Sequence, residues 1–249
     1  MMNKVLCSLL LFLSISCGLQ GRNANYARDS KRIWLDSKEI HHGEYVWKMK
    51  KAGDVISSAE KVSTLGYDTS DWLSAIVPGT VLNSLVYNKE YPEPYYGVNN
   101  KLESGKIPDI SKVGREFYTY WFRTEFDVPE SFAGKTIWLQ PDGVNYRAEI
   151  WVNGNLLSTL NGMFISDYIN VTDFVKVGRK NILAVKVYPV DVPGTTMPKS
   201  WGATGEFHNG GNGNIGLNTT MLMSVGWDFT FMDGIRDRNT GIWKSISLY

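Results

Sequence analysis

The sequence predicts an all-β protein, a two-sheet β-sandwich with one or two short helices. Three observations carry that expectation. The dominant apolar period is two, the period of a strand. The 249 residues include 24 Gly and 9 Pro, which favours many turns. Asn153-Gly154 sits directly after an alternating stretch, and Asn-Gly between apolar strands is a strong hairpin signal because both residues tolerate positive φ.

The elements follow in chain order. Residues 1–21 read as a signal peptide outside the fold. Lys4 precedes the apolar run Val5–Ile15, 11 residues long, where a membrane-spanning helix needs about 20. Two processing outcomes fit. Leu13-Ser14-Ile15-Ser16-Cys17 has the form of a lipobox, with Ser14 where Leu is usual, and would make Cys17 a lipidated, membrane-attached first residue. Ordinary cleavage would discard Cys17. Residues 22–44 are expected to form a polar tether and a first strand region, loose from Tyr26 to about Leu35, and residues 45–249 the sandwich.

Within the sandwich, Thr80 to Tyr87 has helical spacing after Pro78-Gly79. Tyr118, Tyr120, Phe122, Thr124, Phe126 and Val128 share one face of a strand. Thr119, Arg123, Glu125 and Asp127 share the other, with Trp121 out of pattern. Ala148, Ile150 and Val152 alternate with Arg147, Glu149 and Trp151. Leu183, Val185 and Val187 form another apolar face, and Ile242, Ile246 and Leu248 a last one. Thr219 to Ser224 suggests a second short helix.

Composition narrows the function classes. The leader carries one Lys and no acid, so the mature chain balances 25 basic against 25 acidic residues. No basic run stands out, which argues against nucleic acid as a partner. Both Cys residues, Cys7 and Cys17, lie in the leader, so the mature chain has no thiol for a disulfide, a zinc–thiolate site or a nucleophile. An exported, neutral, aromatic-rich domain suits a sugar better than an anion.

No cofactor or metal is expected. Gly211-Asn212-Gly213-Asn214-Ile215-Gly216 has the GxGxxG form, but no buried strand precedes it, so it reads as a flexible binding-type loop rather than a dinucleotide site. His41 and His42 are adjacent and point to opposite faces when extended, and His208 stands alone. No GxSxG elbow supports a serine triad, and no carboxylate pair stands out.

The densest chemistry lies at residues 226–243. Gly226-Trp227-Asp228-Phe229 sets aromatic rings beside a carboxylate, and Arg236-Asp237-Arg238-Asn239 alternates charge. Sugar sites use such mixtures: a ring stacks on the C–H face while Asp, Asn and Arg bind hydroxyls. The same residues also fit a core Trp followed by a solvated Arg/Asp turn.

At these motifs the chain resembles the N-terminal galactose-binding-like domain of glycoside hydrolase family 2, in the branch of β-mannosidases, exo-β-glucosaminidases and endo-β-mannosidases. Trp72–Val81, with its Pro78-Gly79-Thr80, is similar to the branch's opening motif. Glu93-Pro94-Tyr95-Tyr96-Gly97 resembles its Asp-Pro-Tyr-Tyr-Gly with the first residue altered. Gly143 to Gly154, Asn161-Gly162-Met163-Phe164 and Asn170-Val171-Thr172-Asp173 resemble the jelly-roll core. Gly226-Trp227-Asp228 with Ile235–Trp243 resembles the closing motif.

The resemblance implies an accessory role. In this family the catalytic Glu pair belongs to a (β/α)₈ barrel further along the chain, and the first domain lends that barrel a loop. On that basis Trp227 and Asp228 are the expected substrate-binding residues, with a β-linked mannoside or glucosaminide as ligand. Arg236, Asp237, Arg238 and Asn239 are expected to shape the loop as a local salt-bridged turn. No catalytic residue is assigned. Phe229 departs from the family's frequent Trp-Asp-Trp. Three readings stay open: part of a larger exported hydrolase whose barrel lies outside this chain, a solitary exported carbohydrate-binding module, and a surface protein-interaction domain.

Overall fold

The computed structural model describes residues 32–40, 43–193 and 236–249. The leader with Cys7 and Cys17, the three His, the 211–216 loop, the second expected helix and Trp227-Asp228 lie outside the described residues.

Two antiparallel sheets form a sandwich. One holds four strands in the order β1 (Ile33–Trp34), β10 (Ile246–Leu248), β5 (Trp138–Pro141), β8 (Ile169–Asn170). The other holds six, in the order β3 (Leu73–Ser74), β2 (Trp47–Lys51), β4 (Tyr120–Asp127), β9 (Lys180–Tyr188), β6 (Arg147–Val152), β7 (Asn155–Asn161). Among the described residues, three short α-helices lie in connections between strands of the six-stranded sheet: α1 (Ala59–Val62) between β2 and β3, and α2 (Val81–Tyr87) and α3 (Ile110–Val113) between β3 and β4.

The period-two reading locates the core. Ala148, Ile150, Val152, Leu183, Val185 and Val187 are all buried, and the register sets Val185 between Phe122 and Ile150. Leu139, Ile246 and Leu248 meet them from the facing sheet. Asn153 and Gly154 adopt φ of 47° and 89°, so the β6–β7 hairpin closes with two residues in the left-handed region, as its twist requires. The expected helix is α2, and Thr80 caps it: its Oγ1 accepts from Asn83 N at 3.0 Å, an interaction worth about 1 kcal/mol.

Three boundaries differ from expectation. The first strand region expected within residues 22–44 pairs already at Ile33, inside the stretch read as loose to about Leu35. Ile33 and Trp34 pair with Leu248 and Ser247, Leu35 is fully buried, and the Trp47 indole donates to Leu35 O at 2.5 Å. The strand expected from Tyr118 starts at Tyr120, because Arg115–Tyr118 form a 3₁₀ turn. The last strand excludes Ile242, whose carbonyl accepts from Gly79 N at 2.7 Å instead of a ladder partner.

Trp121 has a physical explanation. The outer face of the six-stranded sheet is covered over part of its area by residues 52–72. Trp121, Trp151 and Ala184 pack there with Val62 and Trp72, against Ala52, Val55, Ala59 and Tyr67. Arg123, on the same outer face, is 4% exposed. Its Nε donates to Val62 O and its Nη2 to Thr64 O, both at 3.0 Å. The arginine thus satisfies carbonyls at the end of α1 that would otherwise be buried unpaired.

Val185→Asp should cost about 4 kcal/mol or more, since it places an unpaired carboxylate between the sheets. Urea unfolding followed by tryptophan fluorescence checks this, with a cooperative wild-type transition reduced or lost in the variant.

Candidate functional site

The Arg/Asp motif forms a tight turn, and it is buried rather than solvated. Arg236, Asp237 and Arg238 are at most 1% exposed. Arg238 and Asn239 both take positive φ, 53° and 57°. Asn tolerates such a backbone, but at Arg238 it needs outside support, because left-handed geometry is unfavourable for a long side chain. Asn145 supplies it, its Nδ2 donating to the carbonyls of Arg238 and Asn239, each at 2.8 Å.

The charges are not satisfied within the turn, as a local salt-bridged turn would require. Both arginines reach Asp109 at the start of α3. Arg236 Nη1 lies 2.9 Å and Arg238 Nη1 3.4 Å from Asp109 Oδ2. Asp109 Oδ1 accepts from Ser111 N at 2.8 Å, so one carboxylate caps α3 and holds two guanidinium groups. Arg236 Nη2 also donates to Asn100 O.

Asp237 acts elsewhere. Its Oδ2 accepts from Leu82 N in the first turn of α2, and its Oδ1 from Asn239 N, both at 2.9 Å. Val81 N and Gly79 N donate to Thr240 O and Ile242 O at 2.7 Å. The backbones pass so closely that a Cβ on Gly241, whose φ is 154°, would lie 2.4 Å from Gly79 O. Only glycine fits that crossing.

Burial and partners set the ionisation of the two acids in opposite directions. Burial pushes Asp109 upward, but Arg238, Ser111 and Arg236 together outweigh it and hold the carboxyl below its ordinary value. Asp237 is pushed up to about 6 by burial, against the lowering effect of its backbone hydrogen bonds and Arg238. Burial likewise lowers Arg238, an effect opposed by Asp109.

A cleft of about 230 Å³ opens over this network. Its walls are Gly79–Thr80 with the first turns of α2, the Glu93-Pro94-Tyr95 turn, Asn100 and Asn239. Tyr95 and Tyr96 stand 62% and 77% exposed. The opening motif, the Pro-Tyr-Tyr-Gly motif and the closing motif, far apart in sequence, therefore meet at one place. Of the expected loop-shaping residues, Asn239 lines the cleft while Arg236, Asp237 and Arg238 support the turn from below. Arg238 Nε donates to Pro193 O at 3.1 Å, which ties the closing turn to the residue just before the segment bearing Trp227 and Asp228.

Sequence reasoning missed Asp109, Asn145 and Asn100. Asp109-Ile110-Ser111 does carry a helix-cap signature that could have drawn attention to Asp109. Asn145 carries none.

Residues 47–244 match the family described as glycosyl hydrolase 2 galactose-binding domain-like. The chain belongs to that family.

Its relatives are glycosidases. The mannosylglycoprotein endo-β-mannosidase of Lilium longiflorum is 41% identical over 181 residues, 73% of this chain and 18% of that protein. The exo-β-D-glucosaminidase of Amycolatopsis orientalis is 29% identical over 149 residues, 59% of this chain and 13% of that protein. This galactose-binding-like domain thus spans less than a fifth of the length of these two relatives. Among solved structures, the Amycolatopsis orientalis exo-chitosanase in complex with PNP-β-D-glucosamine superposes with a TM-score of 0.57 at 23% identity, covering 83% of this chain and 20% of that one. The β-D-mannosidase of Dictyoglomus thermophilum gives 0.52 at 24%, covering 88% and 22%. At these identities the likeness shows the sandwich fold.

Asp109→Asn should destabilise the domain by about 3–5 kcal/mol at neutral pH, because two buried guanidinium groups lose their counter-charge. The deficit should shrink as pH falls below about 4, since a lowered carboxyl contributes stability only while ionised. Urea midpoints at several pH values measure both. Asp237 has the opposite sign. Its raised carboxyl stays protonated in the fold while the unfolded chain ionises, so its contribution is lost as pH rises from about 4 to about 6. Asp237→Asn should remove that downward slope, on the order of 2–3 kcal/mol, whatever its effect on absolute stability.

Proposed function

We propose that this chain is the N-terminal, sugar-contacting accessory domain of an exported family 2 β-glycosidase acting on β-linked mannosides or glucosaminides. Its Trp227–Asp228 loop would wall the terminal-sugar subsite of a catalytic barrel lying outside these 249 residues. The observation that carries this reading is the anchorage of the closing turn. Two buried arginines, one shared carboxylate and the Arg238–Pro193 bond grip the ends of a long segment whose sequence carries a ring beside a carboxylate. A scaffold that holds loop ends rigidly while the loop carries the chemistry is a common design for binding sites. The 41% identity to an endo-β-mannosidase supports a mannoside-type ligand.

In this reading the Trp227 ring stacks on the C–H face of the sugar and Asp228 accepts from its hydroxyls. Export is supported by the leader at residues 1–21. A lipid-modified Cys17 at the mature N-terminus, read by mass spectrometry of the membrane fraction, would mark the lipoprotein route.

With only one wall of the subsite supplied, affinity for mannose or glucosamine at this loop should be on the order of millimolar or weaker. Titration followed by the Trp227 indole NMR resonance tests this, and the shift should vanish in Asp228→Ala. Binding that leaves the Trp227 resonance unmoved, or survives Asp228→Ala, rejects the site. Micromolar binding abolished by Asp228→Ala would instead favour a solitary carbohydrate-binding module.

A further inference from the structure

Among the described residues, the outer face of the six-stranded sheet is only partly covered. Residues 52–72 bury its Trp151–Ala184–Trp121 end. At the other end, β6 turns Arg147 and Glu149 outward. The register places Asn161 and Tyr188 on either side of Arg147, with Thr159 and Lys186 on either side of Glu149. Arg147, Glu149, Thr159, Asn161 and Tyr188 line a groove of about 490 Å³, within the size range of small-molecule sites; Lys186 stands just outside it.

The groove is partly pre-organised. Glu149 is held by two donors, Tyr188 Oη at 2.6 Å and Trp151 Nε1 at 3.1 Å, so its remaining lone pairs have fixed directions. Arg147 is ion-paired with Asp191, which Arg115 also holds at 2.9 Å. The Thr159 hydroxyl and the Asn161 amide make no side-chain hydrogen bond among the described residues. The lining therefore offers a hydroxyl, an amide, a carboxylate and a guanidinium beside the Tyr188 ring, which Lys186 Nζ approaches to 5.1 Å; within the lining Arg147 and Glu149 cancel in charge, and at its border Lys186 and Asp191 do the same.

That inventory selects a ligand class. An anion meets Glu149 and a cation meets Arg147, so neither is favoured. Sugar hydroxyls donate and accept at once, which matches a neutral set of mixed donors and acceptors. Because β7 is the edge strand, the groove lies at the sheet's edge and leaves room for a chain longer than one ring. We propose that this groove is a binding site for a neutral oligosaccharide, separate from the Trp227–Asp228 loop. The inference goes beyond the proposed function and does not depend on it.

The test uses mannotetraose and cellotetraose as probes on the full chain, with site-resolved NMR. The Trp151 indole resonance reports the groove, through its bond to Glu149, and the Trp227 resonance reports the loop. At least one tetrasaccharide should shift Trp151 with a Kd on the order of a millimolar. The double variant Thr159→Ala/Asn161→Ala, both exposed positions, should weaken this about tenfold, while Asp228→Ala leaves it unchanged. Tyr188→Phe, which keeps the ring and loses the bond to Glu149, should also weaken it. No Trp151 shift with either sugar overturns the proposal, as does a shift indifferent to the double variant and to Tyr188→Phe. Loss of all binding in Asp228→Ala alone would overturn this inference and leave the loop reading standing.

Discussion

One buried carboxylate, Asp109, carries the constraint on which the cleft end of the domain depends. It caps α3 and meets Arg236 and Arg238, more than 120 residues further along the chain. Burying two guanidinium groups is expensive, and an ion cluster of this kind gives little net stability compared with a well-packed apolar one. Its effect is geometric. With both arginines held, the turn at Arg238–Asn239 can keep a left-handed backbone, Asn145 can clasp it, and Asp237 is left to join the first turn of α2. Each bond ties the closing motif to a part of the chain that was laid down much earlier.

The same turn leads into β10, which lies between β1 and β5 in the smaller sheet. The last strand therefore closes the sandwich in register with both neighbours, and Ile246 and Leu248 complete the core. An error in the Arg/Asp turn would propagate to that register, and a slip by one residue would turn Ile246 and Leu248 away from the core. This links the loop anchorage to the stability of the whole fold, and a variant at Asp109 or Asn145 is expected to report on both.

The six-stranded sheet shows how one scaffold can serve several surfaces. Its inner face carries most of the core. Its outer face is partly buried under residues 52–72 and partly open at Arg147, Glu149 and Tyr188. Arg123 and Arg147 make the contrast plain. Both are arginines on that outer face. Arg123 is covered and serves backbone carbonyls, whereas Arg147 is exposed and pairs with Asp191. In proteins generally, function resides in local sites carried on a fold rather than in the fold itself.

The alternation of apolar residues and the Asn153-Gly154 turn were enough to place the sandwich, its core and its central strands. Side-chain period and turn chemistry are local properties, written within a few residues of one another. The family motifs were legible for the same reason, and so was the helix after Thr80. Three things were not. Trp121 broke the period because a segment 50 to 70 residues earlier covers the outer face. Ile242 left the last strand because its carbonyl bonds Gly79. The Arg/Asp turn looked solvated because its partner, Asp109, is remote in sequence and ordinary in its local context. In each case the deciding contact joins segments distant along the chain. Burial and pairing across such distances are set by how the sheets and loops pack, so the tertiary structure alone decides which charge is paired, which arginine is covered, and which half of a sheet face stays open.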